Sequence, residues 1–533
     1  MKQDVLLISG TGGAYTIRGK DLENSLFDKN INQQLINRFY CCEGIRIVPE
    51  NAYFFEGDRK VPLLRRNQSS YPPLVTRTLE DILEKNDISY CSIPCDTIWE
   101  NRPFSRQKFS YVCLSTTFMW SERMIERAVK WVLEQVDFQC FIVGGHYSSI
   151  KYKQILSSYP SIDYVIIGDG ETALPVLIKH LENPTTGIIG DIPNLAYMNN
   201  GKLVLTAHKY EDISTLPKVS YPGKFDRLSY ESVRGCAFGC KFCTWDAGIK
   251  HFRYKTAEQI VQDTKEYMEE NGISRIEIND STFLFPFSRI EGILDGFTRL
   301  GIHWKAHCRS DVPWTDALIE KLNQSNCDIL QIGFESMCDR VLKNMSKKTT
   351  AAMNRFTNNM LAKTRIDTVV SFMIGFPDET PEEFQLTWDY LLEEFQGHFY
   401  LFVFEMEDKS LDLWKEREKY GFELFEDNED CLHGGSNWCH NGMSSDEAFR
   451  LRDRVLKSVR RQNAKAIYKS WQSPFEWPFV TNKNREENLR IERLIDNLIY
   501  LIQDVPEAQM RDQVLDIRNQ LANMGVFFEE SQA

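Results

Sequence analysis

The chain begins with a region in which short apolar runs alternate with helical stretches. Four strand-like runs each end in Gly or Thr: Asp4–Gly10, Tyr111–Thr117, Phe138–Gly145 and Asp163–Gly168. Helical spacing of apolar residues occupies Ser121–Gln135 and Thr172–Leu181. This alternation predicts a doubly wound, Rossmann-like α/β domain whose ligands bind at the carboxyl ends of parallel strands. Asn199-Asn200-Gly201, between two apolar runs, predicts a closing hairpin over Asn194–Thr206.

A second region repeats a strand-then-helix pattern. Its six candidate strands are Ser229–Val233, Ser274–Asn279, His303–Cys308, Ile329–Phe334, Thr368–Ile374 and Phe399–Phe404. Helical patterns fill the gaps, notably Ala257–Glu270, Thr315–Asn323 and Pro381–Glu394. Six such units in series predict a partial (βα)6 barrel of the TIM type, with its chemistry at the carboxyl ends of the strands.

The pattern changes again from about Glu426. Ser444–Ser470 and Glu486–Met524 have amphipathic helical spacing and are rich in charge. We therefore predict three domains: residues 1–215 as the doubly wound α/β domain, 226–425 as the partial barrel and 426–533 as a C-terminal helical domain.

Charge and composition narrow the classes of partner. The net charge of −13 provides no long basic surface for a phosphate backbone, so nucleic acid is not expected. No export signal is recognisable and no apolar run approaches the roughly 20 residues that span a bilayer, so we expect no membrane partner and a cytoplasmic location. The 14 cysteines are then mostly reduced thiols. A small molecule or a peptide is the expected substrate.

Three cysteines stand close together just after the first barrel strand. Cys236, Cys240 and Cys243 form a C-x3-C-x2-C run in a loop that also contains Gly235 and Gly239. Three thiolates at this spacing can hold one face of a [4Fe–4S] cluster and leave one iron open to a substrate. Zinc remains an alternative, because it also binds thiolates, and His251 lies within reach as a fourth ligand.

At these residues the sequence resembles the radical S-adenosylmethionine (SAM) superfamily, whose signature is C-x3-C-x-aromatic-C with Phe242 as the aromatic residue. The resemblance implies that the open iron chelates SAM and that one electron cleaves SAM to a 5′-deoxyadenosyl radical. It also implies a reducing partner such as flavodoxin or ferredoxin. The cofactor supplies the difficult chemistry, and the protein supplies geometry and water exclusion.

Other segments that resemble this family end the following strands. The resemblance implies cofactor-binding roles for Asp280, for Glu335 and Ser336 near the methionyl group and ribose of SAM, and for Met373 and Gly375 along its adenine. It places Arg309 near the SAM carboxylate or the substrate, as a catalytic candidate. For each polar residue, an ordinary loop hydrogen bond or salt bridge is the alternative.

The first domain resembles that of the cobalamin-binding class of radical SAM proteins. The resemblance lies in a Gly-Gly turn and a following G-x-G-E segment, and it implies that the corrin tail contacts Ser115, Thr116, Gly144, Gly145, Gly168 and Gly170. The D-x-H-x-x-G motif that supplies a lower cobalt ligand is missing, since no histidine precedes His146. Cobalamin bound without a histidine ligand, or a domain that binds no corrin, are both compatible with this pattern.

Two further cysteines are candidates for returning a hydrogen atom to a substrate radical. Cys308 lies on a barrel strand, and Cys439 lies in a Trp438-Cys439-His440 segment that resembles the link between barrel and C-terminal domain in cobalamin-class members. A zinc site made of Cys431, His433, Cys439 and His440 is an alternative, although its spacings differ from those of common zinc modules.

Three functions remain open. The first is cobalamin-dependent C-methylation of a secondary metabolite or peptide in natural product biosynthesis. The second keeps the radical chemistry without methyl transfer, as epimerisation, rearrangement or bond formation. The third is an electron-transfer or scaffold protein, which the open iron argues against, because a cluster that only carries electrons needs no vacant coordination position.

Overall fold

A computed structural model provides the architecture. It describes residues 4–10, 36–42, 45–48, 51–63, 72–102, 104, 107–119, 121–244, 251–406, 408–409, 411–425, 437–468 and 485–529. Cys431 and His433 of the alternative zinc site lie outside the described residues. None of the described helices is long and apolar enough to cross a bilayer.

The N-terminal sheet has seven strands, five of them parallel. The parallel strands follow the spatial order Tyr164–Ile166, Cys140–Gly144, Tyr111–Ser115, Val5–Ile8 and Tyr90–Ile93. Numbered in chain order and read from Tyr90–Ile93 toward Tyr164–Ile166, these strands have the flavodoxin-like order 2-1-3-4-5. The order reverses between Val5–Ile8 and Tyr111–Ser115. An antiparallel hairpin, Leu195–Asn199 and Lys202–Leu205, extends the sheet beside Tyr164–Ile166. Its turn residues Asn200 and Gly201 both have positive φ, so the predicted hairpin is confirmed.

Helices cover both faces of this sheet. Glu122–Gln135, His146–Ser158 and the short Asp96–Trp99 pack on one face, while Leu74–Lys85 and Ala173–Glu182 pack on the other. Adjacent strand residues alternate between the two cores: Leu6 lies in the first core and Leu7 in the second. The domain is therefore doubly wound, as the sequence predicts. Tyr90–Ile93 is a strand that the sequence analysis did not identify.

The second sheet is a parallel, open barrel. Its strands in spatial and chain order are Arg227–Tyr230, Arg275–Ile278, His303–Arg309, Cys327–Glu335, Asp367–Ile374, Gly397–Val403 and Ala466–Tyr468. The helices Ala257–Asn271, Ile290–Leu300, Asp316–Gln324, Ala351–Leu361, Pro381–Glu393 and Ser445–Gln462 connect them. All six predicted strands are present with small shifts of their ends. The expectation of one helix over Ser444–Ser470 is wrong at its end, where Ala466–Tyr468 pairs with Gly397–Phe399 as a seventh strand.

Local sequence explains why several of these helices begin and end where they do. Thr256 and Thr380 each form a capping box, with Gln259 and Glu383 respectively, so two backbone N–H groups are satisfied at each helix start. Gly272 ends the first barrel helix in the left-handed conformation. These caps fix the lengths of the connections, and therefore the positions of the strand ends that form the site.

A third apolar core joins an early segment of the chain to the C-terminal helices. The helices Arg485–Asp504 and Glu507–Asn523 pack against residues 36–63, and Val526–Phe528 pairs with the strand Ala52–Glu56. The predicted helices over Glu486–Met524 are thus present, with a break between them. The C-terminal segment is shared between this core and the barrel, because Ser445–Gln462 packs on the barrel.

Candidate active site

The cysteine loop starts from a two-stranded antiparallel ribbon. Val233–Arg234 pairs with Arg253–Tyr254, and all three cysteines of the motif lie between these two strands. We call this pair of strands the ribbon. Gly235 leaves it with φ of +73°, a conformation that favours glycine. The loop therefore emerges at the carboxyl end of the first barrel strand, as the barrel rule predicts.

Neighbouring elements anchor the cysteine loop at several points. The Ser281 hydroxyl donates to Gly235 O at 2.7 Å, and Lys241 N donates to Met345 O at 3.0 Å. Cys236, Cys240 and Cys243 are all partly exposed. Among the described residues, however, no group of three or more His, Cys, Asp or Glu side chains is gathered to hold a metal ion. The three thiols are accessible and lie on an anchored loop, and this is the basis for their fit to a cluster. They are not gathered around a single metal position in this structure.

Arg309 lies directly beside this loop. Its guanidinium is 3.7 Å from the centre of the Phe238 ring, and its Nη1 is 4.0 Å from Cys240 Sγ. Asp311 accepts from Nε at 3.0 Å and from Nη2 at 3.1 Å, which fixes the orientation of the guanidinium. A permanent positive charge thus stands next to a thiol that would bind metal as a thiolate. Its expected contact with the SAM carboxylate or substrate stays a prediction.

A buried ion pair occupies the carboxyl end of the fourth strand. Glu335 Oε1 and Lys347 Nζ are 2.8 Å apart, and both side chains are about one-tenth exposed. Glu335 has φ of +64°, and the register shifts at this point of the strand, so its side chain is turned by an irregular backbone. Lys347 Nζ is 5.9 Å from the centre of the Phe242 ring, which links the pair to the cysteine loop. Ser336 is fully buried, and its hydroxyl accepts from Cys338 N at 3.1 Å.

The fifth strand ends in a tight apolar contact. Gly375 has φ of +83°, and a Cβ built there would lie 2.4 Å from the Trp438 ring. Gly375 N donates to the carboxylate of Glu379 at 2.7 Å. Burial raises the pKa of Glu379 to about 8, so this carboxyl holds a proton at neutral pH. Met373, two residues before Gly375, is partly buried beside the apolar core.

His440 is committed to the backbone. Its Nδ1 accepts from the N–H groups of Asp378, Gly442 and Met443, and its Nε2 lies 3.2 Å from Gly375 O, to which it donates. Burial lowers the pKa of His440 to about 4, so the ring is neutral. Because both ring nitrogens are used, His440 is not a zinc ligand in this arrangement.

Asp280 positions the ribbon instead of facing a cofactor. Its carboxylate accepts from Ser232 N at 2.7 Å, from the Ser232 hydroxyl at 2.5 Å and from Val233 N at 2.9 Å. The side chain is buried, and burial raises its pKa to about 6. Both carboxylate oxygens are therefore used to hold the chain just before the ribbon.

The two candidate hydrogen donors lie in different surroundings. Cys308 is buried in the apolar core between the sheet and its helices, on the opposite face of its strand from His307 and Arg309. This location corrects the expectation for Cys308, because the thiol has no path to the barrel interior. Cys439 is partly exposed on a short hairpin, opposite Glu423 and next to Trp438.

Hydroxyls and glycines form the carboxyl edge of the N-terminal sheet. Thr116 Oγ1 donates to Gly144 O at 2.9 Å, and Ser115 Oγ is 3.3 Å from Thr117 Oγ1. Gly145 has φ of +101°, and a Cβ there would lie 2.9 Å from the backbone nitrogens of Thr116 and Thr117. The fold alone therefore requires glycine at 145. Gly168 also has positive φ, and its N–H donates to the Ser149 hydroxyl at 2.9 Å.

Gly144 and Gly170 are different, because the fold does not require glycine at either position. A Cβ at Gly144 would be 3.7 Å from Ile166, and one at Gly170 would be 3.8 Å from the same side chain, both ordinary contacts. Neither residue has positive φ. A ligand that approaches the backbone closely would explain them, so this edge fits a nucleotide-like tail.

Buried charges join the edge of the N-terminal sheet to the ribbon. Asp169 is ion-paired with Arg253 and, at 3.2 Å, with Arg234. Glu171 pairs with Arg234 at 2.5 Å. Neither Asp169 nor Arg253 is predicted from the sequence as a functional residue. The available signal was the position of Asp169 between Gly168 and Gly170, inside the G-x-G-E segment.

Comparisons with curated proteins identify methyltransferase relatives. The chain is 26% identical over 292 residues to an uncharacterized methyltransferase of Pyrococcus horikoshii, covering 52% of this chain and 62% of the relative. It is 27% identical over 166 residues to bacteriochlorophyllide d C-12(1)-methyltransferase of Chlorobaculum tepidum, covering 30% of this chain and 36% of that protein. The match thus spans less than two thirds of the length of each relative.

Solved structures support the fold. The radical SAM methyltransferase TsrM of Kitasatospora setae, with cobalamin and a [4Fe–4S] cluster bound, aligns with a TM-score of 0.57 at 11% identity, covering 98% of this chain and all of that one. The cobalamin-dependent radical enzyme OxsB, with aqua-cobalamin and SAM bound, aligns with a TM-score of 0.54 at 16% identity, covering 85% of this chain and 73% of that one. At these identities the likeness confirms the predicted fold class.

The family model of the radical SAM superfamily matches residues 230–391, which span the cysteine loop and the second to fifth barrel strands. The structure independently places the accessible thiols of that loop at the carboxyl edge of the barrel. A domain of this kind implies a [4Fe–4S] cluster and SAM. The chain therefore carries a radical SAM domain.

Proposed function

We propose that this chain is a cobalamin-dependent radical SAM methyltransferase that methylates an unactivated carbon of a small molecule or peptide in natural product biosynthesis. One observation carries the proposal. Asp169, at the carboxyl edge of the N-terminal sheet, is ion-paired with Arg234, two residues before Cys236. The edge suited to a methyl carrier and the loop suited to a radical-generating cluster therefore adjoin, as methyl transfer requires.

The cysteine loop supplies the first half of this site. Cys236, Cys240 and Cys243 would hold a [4Fe–4S] cluster, which together with SAM supplies one-electron cleavage and a hydrogen-abstracting radical. Arg309 offers the only described guanidinium within 4.0 Å of Cys240 Sγ, and it would orient an anionic group of SAM or substrate by charge. Glu335, Ser336, Met373 and Gly375 end the adjacent strands, and we propose that they contact SAM.

The N-terminal edge supplies the second half. Gly144 and Gly170 leave the backbone open to a corrin tail, which would carry the methyl group, while Gly145 and Gly168 shape the turns. The hydroxyl of Thr116 already donates to the carbonyl of Gly144. We therefore propose the hydroxyl of Ser115 as the contact for the corrin tail. No histidine precedes His146, so the first loop of the described sheet offers no lower imidazole ligand.

The sixth strand offers an apolar wall for the substrate. Tyr400 and Phe402 stack with ring centres 5.4 Å apart, and Phe402 is half exposed. Both side chains lie on the interior face, because Phe399, Leu401 and Val403 belong to the outer apolar core. This wall suits a substrate with a flat apolar surface. We further propose a cytoplasmic location and reduction by flavodoxin or ferredoxin.

The experiment is anaerobic purification with cobalamin supplied, followed by iron, sulfide and corrin quantitation. Stoichiometric corrin beside a four-iron cluster is expected, and SAM carrying a CD3 group should then transfer deuterium to the product. A cluster without corrin would overturn methyl transfer and favour a non-methylating reaction. Gly144→Val is the matched variant, because it should retain the cluster and lose corrin.

The rival function, radical chemistry without methyl transfer, needs a hydrogen donor when the reaction is an epimerisation. Cys439 is the candidate that remains, since it is partly exposed. Cys439→Ser would abolish turnover in that reaction and leave CD3 transfer unchanged in the proposed one. An epimerised product of unchanged mass would decide for the rival.

A further inference from the structure

The two strands of the ribbon bring two arginines together. In its antiparallel register Arg234 stands directly opposite Arg253, and Val233 stands opposite Tyr254. Like charges placed directly opposite in a strand pair repel each other. Both side chains are also largely withdrawn from water, with 14% of the Arg234 side chain and 6% of the Arg253 side chain exposed. The base of the cysteine loop is therefore stable only if carboxylates lie close by.

A carboxylate at the edge of the N-terminal sheet pairs with both arginines. One oxygen of Asp169 lies 3.2 Å from Arg234 Nη1, and the other is paired with Arg253 Nη1. The Asp169 side chain is only 3% exposed, and Glu211 N donates to it at 2.9 Å. The pKa of Asp169 is lowered despite its burial, since the hydrogen bond from Arg253 and the charge of Arg234 favour the ionised form. A single side chain thus bridges the two strands of the ribbon.

The two arginines differ in their other partners. Arg234 also pairs with Glu171 at 2.5 Å and with Glu231 at 3.0 Å. Among the described residues, Arg253 has Asp169 as its carboxylate, and it otherwise donates to the carbonyls of His251 and Glu211. Its Nη2 is buried without a hydrogen bond. Loss of the Asp169 charge would leave Arg253 as a buried, unpaired cation, which is strongly unfavourable.

We propose that Asp169 is a positioning residue for the cluster: it clamps the two strands of the ribbon and thereby holds the cysteine loop in its binding arrangement. Asp169 touches no cofactor in this role, and acts through Arg234 and Arg253. The assignment of the cluster to this loop rests on the proposed function. The clamp itself rests on the contacts of the ribbon, so it is measurable on the chain without cofactors.

The test compares amide hydrogen exchange in the full, cluster-free chain. In Asp169→Asn, exchange of the amides from Val233 to Cys243 should rise about tenfold, because opening of the ribbon no longer breaks the two ion pairs. Lys151→Gln is the matched control. It removes an ion pair with Asp408, which also joins the N-terminal domain to the barrel side, but it leaves the ribbon untouched. Unchanged exchange in Asp169→Asn, or an equal rise in Lys151→Gln, overturns the proposal.

A second variant separates clamping from general stability. Asp169→Asn/Arg253→Met removes both charges, so global stability should recover relative to Asp169→Asn, whereas exchange at the ribbon should stay about tenfold faster than in the unmodified chain. If the double variant restores slow exchange as well, the clamp is not the cause and the proposal fails.

Cluster retention gives the link to function. After reconstitution, Asp169→Asn should lose iron to a chelator about tenfold faster than Lys151→Gln does, while both chains start with the same iron content. Equal rates of iron loss overturn the positioning role. An unmodified chain that never takes up iron would refute the proposed function, and the exchange measurement would still decide whether the clamp exists.

Discussion

The two large sheets each have seven strands, but they distribute polar residues differently. In the N-terminal sheet both faces are apolar, so Leu6 and Leu7 belong to two different cores. In the barrel the outer face is apolar and the inner face is mixed: charged side chains lie on its second to fourth strands, and the apolar wall of Tyr400 and Phe402 lies on its sixth. Ile276 and Ile278 pack against helices on the outer face, while Glu277 between them lies 2.8 Å from Lys305 on the inner face. The barrel can therefore place charge on the inner face of its sheet, whereas the N-terminal sheet can place polar groups only at its edge.

This difference determines where each sheet can carry chemistry. The barrel interior holds ion pairs and a neutral histidine, since burial lowers the pKa of His307. The edge of the N-terminal sheet holds hydroxyls and glycines, and its charges, on Asp169 and Glu171, are paired with the ribbon. The same parallel arrangement of strands thus forms two kinds of site. The barrel forms a charged active site, and the N-terminal sheet forms an edge where backbone lines the surface for a large ligand.

The largest expected effect is loss of the cluster from the barrel loop. Cys240→Ser should abolish iron binding and 5′-deoxyadenosine formation, because a hydroxyl is a poor substitute for a thiolate ligand. Cys308→Ser is the control on the outer face. It should retain iron and cost about 1–3 kcal/mol of unfolding free energy, because it buries a hydroxyl in an apolar core. Iron loss in Cys308→Ser would contradict the assignment of the two faces.

The next effect tests the charged inner face. Lys347→Met leaves Glu335 buried without its partner, and we expect a loss of about 3–5 kcal/mol in unfolding free energy by urea denaturation. The double variant Lys347→Met/Glu335→Leu should regain most of this loss, because it removes the unpaired charge. A small effect of the single variant would mean that water reaches the pair and that the inner face is open at this depth.

The sequence correctly predicts that side chains along each barrel strand alternate between the inner and outer faces. The expectation that Cys308 reaches a substrate does not take this alternation into account. The polar positions His307 and Arg309 already indicate that Cys308 points to the opposite face, so its expected access to substrate is wrong for a reason that is readable from the chain. The strand Ala466–Tyr468 has only three residues and closely follows a helix. Its strand conformation therefore depends on pairing with Gly397–Phe399. Short segments carry too little periodicity to reveal such pairing.

Long-range contacts account for the rest. Residues 36–63 and 485–528 share a core although they are far apart in sequence, and no local sequence pattern predicts this contact. The same holds for Asp169 and Arg253, whose burial and pairing appear only when two domains adjoin. Motif spacing located the cysteine loop because its ligands are local. The clamp on that loop is not local, and therefore only the structure revealed it.

A smaller effect is expected at the N-terminal edge, where two adjacent glycines should respond differently to substitution. Gly145→Ala should cost about 1–3 kcal/mol of unfolding free energy, because the residue has φ of +101° and its Cβ would meet backbone atoms at 2.9 Å. Gly144→Ala should change stability by less than about 0.5 kcal/mol and weaken cobalamin binding in an equilibrium titration. Equal affinity for cobalamin in Gly144→Ala and the unmodified chain would show that the corrin tail does not lie at this edge of the N-terminal sheet.

The smallest effect concerns pH and should come from the mouth of the barrel. Burial raises the pKa of Glu379 to about 8, above the 4.5 of an exposed glutamate. The folded chain thus binds a proton that the unfolded chain has released, so stability falls as pH rises from about 4.5 through 8. Between pH 7 and 8 the expected slope is about −1 kcal/mol per pH unit.

Two other buried groups, Asp280 and His440, titrate mainly below pH 7, which is why the window from pH 7 to 8 is chosen for Glu379. Asp280, with a pKa of about 6, loses its stabilising proton mainly below pH 7. His440 works in the opposite sense: its pKa is lowered to about 4, so its cost to stability appears only as pH falls below about 6.5. Glu379→Gln should therefore flatten the dependence of the urea midpoint between pH 7 and 8. A slope that survives in this variant would place the titrating group outside the barrel mouth.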